Sequence, residues 1–237
     1  MDIFEKNCSL IDKRIARGLE ILRASYEVVE VDMPECFKRL TIQNMDFEIT
    51  QYDVRGVGNL VTMKCKSAAM QMDTFTLTPY EKNLPLFTTD YIYNGETRIY
   101  LNEIYDLCVR HDEIYDRYIA EFMANKEKHS ALPDMPTKPC WYDGIRPVCT
   151  SKKTDTSADE ENLSIFYDNL DTFIRMEKEC DKLGEADRAE KWRLNKDYAD
   201  RLVDEGGVST DVFKATLGSD DTHRFFNEVF FGPDKNK

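Results

Sequence analysis

Residues 84–107 read LPLFTTDYIYNGETRIYLNEIYDL. Two runs rich in Tyr, Ile, Thr and Phe flank the dipeptide Asn94-Gly95, which readily adopts the positive φ angles of a tight hairpin turn. β-Branched and aromatic side chains suit a pleated, half-buried surface better than they suit a helix. The stretch therefore predicts two antiparallel strands joined by a turn at Asn94-Gly95.

Asp90 lies in the middle of the first predicted strand. Because side chains alternate between the two faces of a strand, it shares its face with Leu86, Thr88 and Ile92. One interpretation is that this face is solvated, or that a nearby donor holds the carboxylate. The other is that the face lines a pocket, where desolvation raises the pKa of Asp90 and makes it a proton donor near neutral pH.

Three segments before this hairpin also have strand-like composition, at 47–54, 59–66 and 69–78. Because their connections are short and contain no helix, they predict an antiparallel meander that continues into the hairpin. The third segment carries a second mid-strand carboxylate, Asp73. Either Asp73 is solvated or paired with a cross-strand partner such as Lys64, or the two Asp side chains in neighbouring strands act together in acid–base chemistry.

The remaining chain predicts helices on both faces of this sheet. Apolar residues have helical spacing or form an apolar face in five stretches: 2–24, 112–129, 163–204 with a break at Gly184, 209–217 and 220–231. A further strand is predicted at 140–148, followed by a polar, mobile loop at about 150–161. The prediction is a single domain, 1–237, of the α/β class. It is a three-layer α/β/α sandwich with a mainly antiparallel central sheet and a C-terminal helical layer at about 162–231.

Composition excludes several classes of function. The seven cysteines are scattered and contain no CxxC pair, which indicates free thiols in a reducing cytosol instead of a disulfide framework or a zinc ribbon. Only three histidines occur, without metal-ligand spacing, so no metal site is expected. The net charge of −13 argues against binding to nucleic acid. No apolar run is long enough to span a bilayer and no targeting segment is evident, so a soluble, cytoplasmic protein is expected.

Several short segments resemble one family. The run LPLFTTD that ends at Asp90 resembles the strand that carries the key aspartate in the ferredoxin-dependent bilin reductases, whose fold is shared by the red chlorophyll catabolite reductases. Further anchors follow in the same order: Ile145-Arg146-Pro147, Asn195–Tyr198 and Arg224–Phe231. The resemblance implies the same α/β/α sandwich. It also implies an open-chain tetrapyrrole between the sheet and the C-terminal helices, reduced in proton-coupled one-electron steps without a bound metal or flavin.

Site residues follow from this resemblance position by position. Asp90 falls on the family's proton-donating aspartate, and Asp73 falls, by an ungapped count, where biliverdin-reducing members commonly have a histidine. Val61 stands near the position of an acidic residue that some members have one strand earlier. The resemblance thus implies Asp90 as the principal donor and Asp73 as its assistant. Four basic residues are candidates to bind the pigment's propionates: Arg98, Arg146, Lys64 and Lys66.

The expected partner is an electron donor of the ferredoxin or flavodoxin type, and the expected state is a monomer or a weak homodimer. Ferredoxins are acidic, so the docking surface should be locally basic. Five residues could form such a patch on this acidic chain: Lys152, Lys153, Lys191, Arg193 and Lys196. The alternative to a reductase is a protein that binds a tetrapyrrole, or another flat hydrophobic ligand, without reducing it. Unrelated chemistry on the same fold is a third possibility.

Overall fold

The computed structural model describes residues 2–207 and 210–235. The predicted C-terminal layer includes positions 208–209, which lie outside the described residues. Eight strands form one sheet: β1 (Val28–Glu30), β2 (Arg39–Ile42), β3 (Met45–Val54), β4 (Gly58–Lys66), β5 (Gln71–Pro79), β6 (Leu86–Asn94), β7 (Thr97–Tyr105) and β8 (Val148–Asp155). The α-helices are α1 (Ile3–Arg23), α2 (Glu35–Lys38), α3 (Glu113–Lys128), α4 (Asp159–Glu179), α5 (Glu185–Asp204), α6 (Thr210–Leu217) and α7 (Ser219–Arg224), and a π-helical turn follows at Phe225–Phe230.

The sheet is an antiparallel meander, as predicted. Its strand order is β1-β3-β4-β5-β6-β7-β8, and β2 also pairs with β3. Every pairing between these strands is antiparallel. From β3 to β7 this order follows from the short connections, because consecutive strands joined by short connections become neighbours in the sheet.

The hairpin at the centre of the chain is confirmed, but its turn lies one residue later than predicted. Asn94 pairs with Thr97, so the two central residues are Gly95 and Glu96. Gly95 has φ of +57°, whereas Asn94 is an ordinary strand residue. A turn with glycine at its first central position needs no positive φ at the preceding asparagine. The shift leaves the face assignments along the strand unchanged.

The predictions for 140–148 and 150–161 are wrong. Residues Trp141–Ile145 form a 3₁₀ turn, and the supposed mobile loop contains most of strand β8. The polar composition was misleading because β8 closes one end of the strand order, where charged residues are tolerated and discourage further pairing. The side chain of Lys152 is nevertheless buried, and its ammonium donates to the carbonyl of Leu132 (2.9 Å) and to Asp134 (2.7 Å).

Helices cover both faces of the sheet, which confirms the three-layer sandwich. The face covered by α1, α3 and α4 is called the α1 face here, and its apolar core joins helix residues such as Ile15 and Phe166 to Phe75 and Phe87 of the strands. The opposite face, covered by α5, α6, α7 and the π-helical turn, is called the α5 face. The predicted break at Gly184 is the residue that precedes α5. Within the described residues, no helix combines the length and the hydropathy that a bilayer crossing requires.

Two separate apolar clusters attach the C-terminal helices to the α5 face. One packs Val61 and Met63 of β4 against Phe213 and Phe225. The other packs residues at the ends of β6 and β7 against α5 and the C-terminal segment; its members include Leu86, Tyr105, Tyr198, Leu202 and Phe231. The middle of β6 and β7 belongs to neither cluster. The architecture therefore leaves a less covered strip of sheet between two well-packed anchors.

Candidate active site

The register of the central strands separates the two predicted catalytic aspartates. Asp90 pairs with Thr74, whereas Asp73 pairs with Tyr91. Directly paired residues share a face and neighbours along a strand alternate, so Asp90 lies on the α5 face and Asp73 on the α1 face. The expected cooperation of the two carboxylates at one site is wrong. Asp73 lies one position from Thr74, the residue that pairs with Asp90, and one residue along a strand reverses the face.

Asp73 is held by a fully buried ion pair. The guanidinium of Arg14 from α1 contacts its Oδ1 through Nε and Nη2, and both side chains are completely inaccessible to solvent. Nη1 of Arg14 donates to Oγ1 of Thr89 at 2.7 Å. The same guanidinium lies over the rings of Tyr91 and Phe166, at 5.1 and 4.8 Å from their centroids. The partner of Asp73 is thus an arginine from a helix instead of Lys64, and the pair joins α1 to the sheet.

Asp90 has a different environment on the α5 face. Its side chain is half-buried, and its Oδ1 accepts a hydrogen bond from Oγ1 of Thr74 at 2.5 Å. Burial raises the pKa of Asp90 to about 6, and the nearby Glu103 carboxylate acts in the same direction. The Thr74 hydroxyl and the more distant Arg14 oppose this rise. Asp90 is therefore a carboxyl that exchanges its proton close to neutral pH, as a general acid requires.

A strip of half-buried residues surrounds Asp90. On β6 and β7 the residues of the α1 face are buried, whereas the residues of the α5 face between the two apolar clusters are only half-buried. This strip, called the site floor here, comprises Thr88, Asp90, Ile92, Ile99, Leu101 and Glu103. A partly apolar surface with a few polar groups suits a flat, mostly apolar ligand that needs only a few directional contacts.

Glu103 is a site residue that the sequence reasoning missed. It pairs with Thr88 and lies diagonally across from Asp90, whose direct partner on β7 is Leu101. Its carboxylate is bound by Nη1 of Arg146, and the two side chains are 13% and 8% exposed. The alternation of residues along the second predicted strand could have found Glu103, since the hairpin turn alone places it on the face of Asp90.

Three of the four predicted pigment-binding cations lie on the other face of the sheet. Arg98 is completely buried, and it donates to Asp159 of α4 (2.7 Å), to the carbonyl of Gly95 (2.9 Å) and to Asn7 of α1 (2.9 Å). It therefore joins the hairpin turn to two helices. Because its donors are used there, Arg98 is not positioned to bind a ligand on the site floor.

Lys64 and Lys66 also lie beside α1. Both ammonium groups bind the carboxylate of Asp12 on that helix, at 3.1 and 2.7 Å. The structure thus separates these two candidates from Asp90 by the thickness of the sheet. Of the four cations, only Arg146 reaches the α5 face, and there it is paired with Glu103 and with Asp143 (2.5 Å).

The predicted basic patch is not a free cationic surface. Lys152 is buried on the α1 face, and Lys191 is buried against the carbonyls of Leu84 and Leu107, where desolvation lowers its pKa to about 8. The remaining two helix cations form ion pairs within α5: Arg193 with Glu190 and Asp197, and Lys196 with Asp200. Of the five predicted patch residues, all within the described part of the chain, Lys153 is the exposed cation at the edge of the sheet.

Other features of the described residues lie apart from Asp90. Two surface concavities of about 540 and 400 Å³ are lined by residues that do not include it. Each of the seven cysteines is free, as predicted. Across positions 2–207 and 210–235, no three His, Cys, Asp or Glu side chains are grouped to hold a metal ion. The candidate site therefore consists of the site floor and its supporting residues Thr74 and Arg146.

Comparison with known proteins identifies the fold. No model of a known protein family matches the chain, and no curated protein matches it in sequence. Among solved structures, the chain is similar to selenomethionine-labelled phytochromobilin synthase from tomato, crystallised in complex with biliverdin. The TM-score is 0.76 at 14% identity, and the match covers 95% of this chain and 84% of the tomato chain. At this identity the likeness establishes a shared fold, in agreement with the sandwich that the sequence segments implied.

Proposed function

We propose that this protein reduces a linear tetrapyrrole in proton-coupled one-electron steps, with Asp90 as the principal proton donor. The observation that carries the proposal is a carboxyl with a pKa of about 6 on a half-buried strip of sheet beneath the C-terminal helices. The shared fold with a phytochromobilin synthase crystallised with biliverdin supports a pigment of this class. The electrons come from a ferredoxin or a flavodoxin, and the protein itself binds no metal or flavin.

Proton supply at Asp90 is the chemical role of the site. Reducing one double bond of a bilin adds two electrons and two protons, and each electron creates a more basic pigment that takes up a proton. Asp90 in its neutral form can donate such a proton, and the half-exposed carboxylate can then be reprotonated from water. Its hydrogen bond from Thr74 fixes one carboxyl oxygen, so the other is oriented for donation.

Asp90→Asn tests this role directly. The variant keeps the shape and the Thr74 hydrogen bond but has no acidic proton, so turnover should fall by about 10²- to 10⁴-fold, the usual range for a general acid. Binding should change little. The measurement is the visible spectrum of biliverdin mixed with the protein, followed under anaerobic conditions after adding reduced ferredoxin and, separately, reduced flavodoxin.

Asp53→Asn is the matched control, because Asp53 is a half-buried carboxylate on the α5 face of β3, away from the floor and paired with Arg55. It should reduce the pigment as the parent does. Unchanged turnover in Asp90→Asn would remove Asp90 from the mechanism.

A second function, binding without reduction, is favoured by one observation. The α5-face positions that continue from Asp90 across the sheet are Thr74 and Thr76 on β5 and Met63 and Val61 on β4, none of which can donate a proton near neutral pH. If biliverdin gives a shifted absorption band that neither reduced donor alters, the protein is a binder. If no shifted band forms, the fold serves another ligand.

A further inference from the structure

The Glu103–Arg146 pair is a charged cluster beside Asp90, and the proposed reaction does not explain its position. Arg146 follows the 3₁₀ turn and reaches back to β7, where Nη1 binds Oε1 of Glu103 while Nη2 binds Asp143 at 2.5 Å. Its guanidinium also lies over the ring of Tyr142, 5.4 Å from the centroid. Arg146 is therefore fixed on three sides.

Glu103 is held within reach of Asp90. Diagonal neighbours on one face of an antiparallel pair lie about 7–8 Å apart at the backbone, with side chains that can come closer. Asp90 and Glu103 have this relation, since their direct partners are Leu101 and Thr88. Neither direct partner, Leu101 or Thr88, carries a charge.

We propose that Glu103, anchored by Arg146, is a positioning residue for Asp90 that keeps the proton on the Asp90 carboxyl. A fixed negative charge beside a second carboxyl makes ionisation of that carboxyl unfavourable, because like charges at short range repel in a poorly solvated site. Arg146 Nη1 binds the Glu103 carboxylate and holds it in place on the α5 face. Arg146 thus acts as the counterion of Glu103 and does not bind a pigment propionate.

The charged and titratable groups around the two carboxyls are consistent with this role. Asp90 faces Thr74 from β5 and Glu103 from β7, and Arg14 acts on it through the sheet from α1. Around Glu103, Sγ of Cys149 lies 3.8 Å from Oε1, and burial raises the pKa of this thiol to about 11. Burial raises the pKa of three neighbouring tyrosines, and the charge of Glu103 raises it further, so that each stays neutral: Tyr105, Tyr142 and Tyr198. Glu103 is therefore the negative charge that acts on Asp90 from the α5 face.

The test is a titration of the Asp90 carboxyl in the pigment-free protein, followed by ¹³C NMR and assigned with Asp90→Asn. Glu103→Gln removes the negative charge and leaves Arg146 paired with Asp143, so the midpoint of Asp90 should fall by about one pH unit or more. Arg146→Gln leaves Glu103 in place and should keep the midpoint at or above its parental value. Glu103→Asp, which restores the charge, should recover most of the shift.

Glu48→Gln provides the control, because Glu48 is an exposed strand carboxylate paired with Arg39, on the other face of β3. It should leave the Asp90 midpoint unchanged. Circular dichroism establishes that each variant is folded, and Arg146→Gln still decides the matter if Glu103→Gln does not fold. A parental midpoint in Glu103→Gln, or a fall of about one unit in Arg146→Gln, overturns the proposal.

This inference depends on the proposed function only in taking Asp90 as the proton donor, and the two fail separately. A shifted midpoint in a protein that never reduces biliverdin keeps the Glu103–Arg146 role and removes the reductase. If the midpoint does not shift but the protein reduces biliverdin, the reductase stands and the role of the Glu103–Arg146 pair is removed. If both proposals hold, Glu103→Gln should lower the pH at which turnover declines, together with the Asp90 midpoint.

Discussion

Asp73 and Asp90 are two aspartates at the centre of one sheet, on adjacent strands and one register position apart, and their surroundings differ completely. Asp73 lies under α1 and is bound by the fully buried Arg14. Asp90 lies half-buried on the α5 face, where the Thr74 hydroxyl donates to its Oδ1. The buried ion pair of Asp73 and Arg14 connects α1 to the sheet, and removing one member of such a pair is costly. A carboxyl that is desolvated without an ion pair has a raised pKa, so more of it is protonated near neutral pH and can donate a proton.

The two faces differ in the same way as their aspartates. On the α1 face, buried cations bind acids, carbonyls and amides, and they connect the sheet to α1 and α4 through Arg14 and Arg98. On the α5 face, the two apolar clusters attach the helices on either side of the site floor, and the floor residues are only half-buried. We infer that the first face maintains the fold and that the second is available for chemistry.

Removing the partner of Asp73 should have the largest effect on stability. Arg14→Met leaves a buried, uncompensated carboxylate, which typically costs about 3–5 kcal/mol in the free energy of unfolding. Urea denaturation monitored by circular dichroism measures the loss. The double variant Arg14→Met/Asp73→Leu removes both charges and should recover most of it; a double variant as unstable as the single one would show that the charge pair is not the cause.

The second-largest effect should be a pH dependence of the free energy of unfolding that originates from Asp90. Because its folded pKa of about 6 lies above the ordinary value of 3.8, the folded state binds the proton more tightly than the unfolded state does. The contribution of Asp90 is fully present below pH 3.8 and is lost as pH rises through about 6. The loss should be on the order of 2–3 kcal/mol.

The measurement compares urea unfolding of the parent and of Asp90→Asn at several pH values between 4 and 7. The difference between them should shrink or change sign in this range, and turnover by the parent should decline over the same interval. A difference that does not depend on pH would contradict the raised pKa of Asp90.

Loss of the Thr74 hydroxyl should have a smaller effect. Thr74→Val keeps the volume of the side chain but removes the hydrogen bond to Asp90, which should cost about 1 kcal/mol. The hydroxyl stabilises the ionised form, so the pKa of Asp90 should rise, opposite to the change expected for Glu103→Gln. The NMR titration of Asp90 distinguishes the two directions, and a fall in Thr74→Val would be the contradicting result.

The smallest effects should come from the cations beside α1. Lys64→Gln and Lys66→Gln each break one half-exposed ion pair with Asp12, worth roughly 0–1 kcal/mol. Both lie on the α1 face, so biliverdin titrations should give the parental affinity. A marked loss of affinity would place pigment contacts on the α1 face and would contradict the assignment of the ligand site to the α5 face.

Much of the architecture was predictable from local patterns. Alternation and turn residues located β6 and β7, and helical spacing located α1 and α3 to within about two residues of their observed ends. The errors were also local in origin. The Asn94-Gly95 dipeptide indicated a turn that begins one residue later, and the polar sequence of β8 lacked the apolar alternation by which a strand is recognised.

Sequence by itself determined the meander, the helical layers and the position of Asp90 in the middle of a strand, because these depend on periodicity and turn chemistry over a few residues. The tertiary structure alone decided which helices cover each face of the sheet and which side chains oppose each aspartate. Arg14 is 59 residues from Asp73, and Arg146 is 43 residues from Glu103. Contacts over such separations depend on strand register and helix docking, and one step of register exchanges the two faces of the sheet.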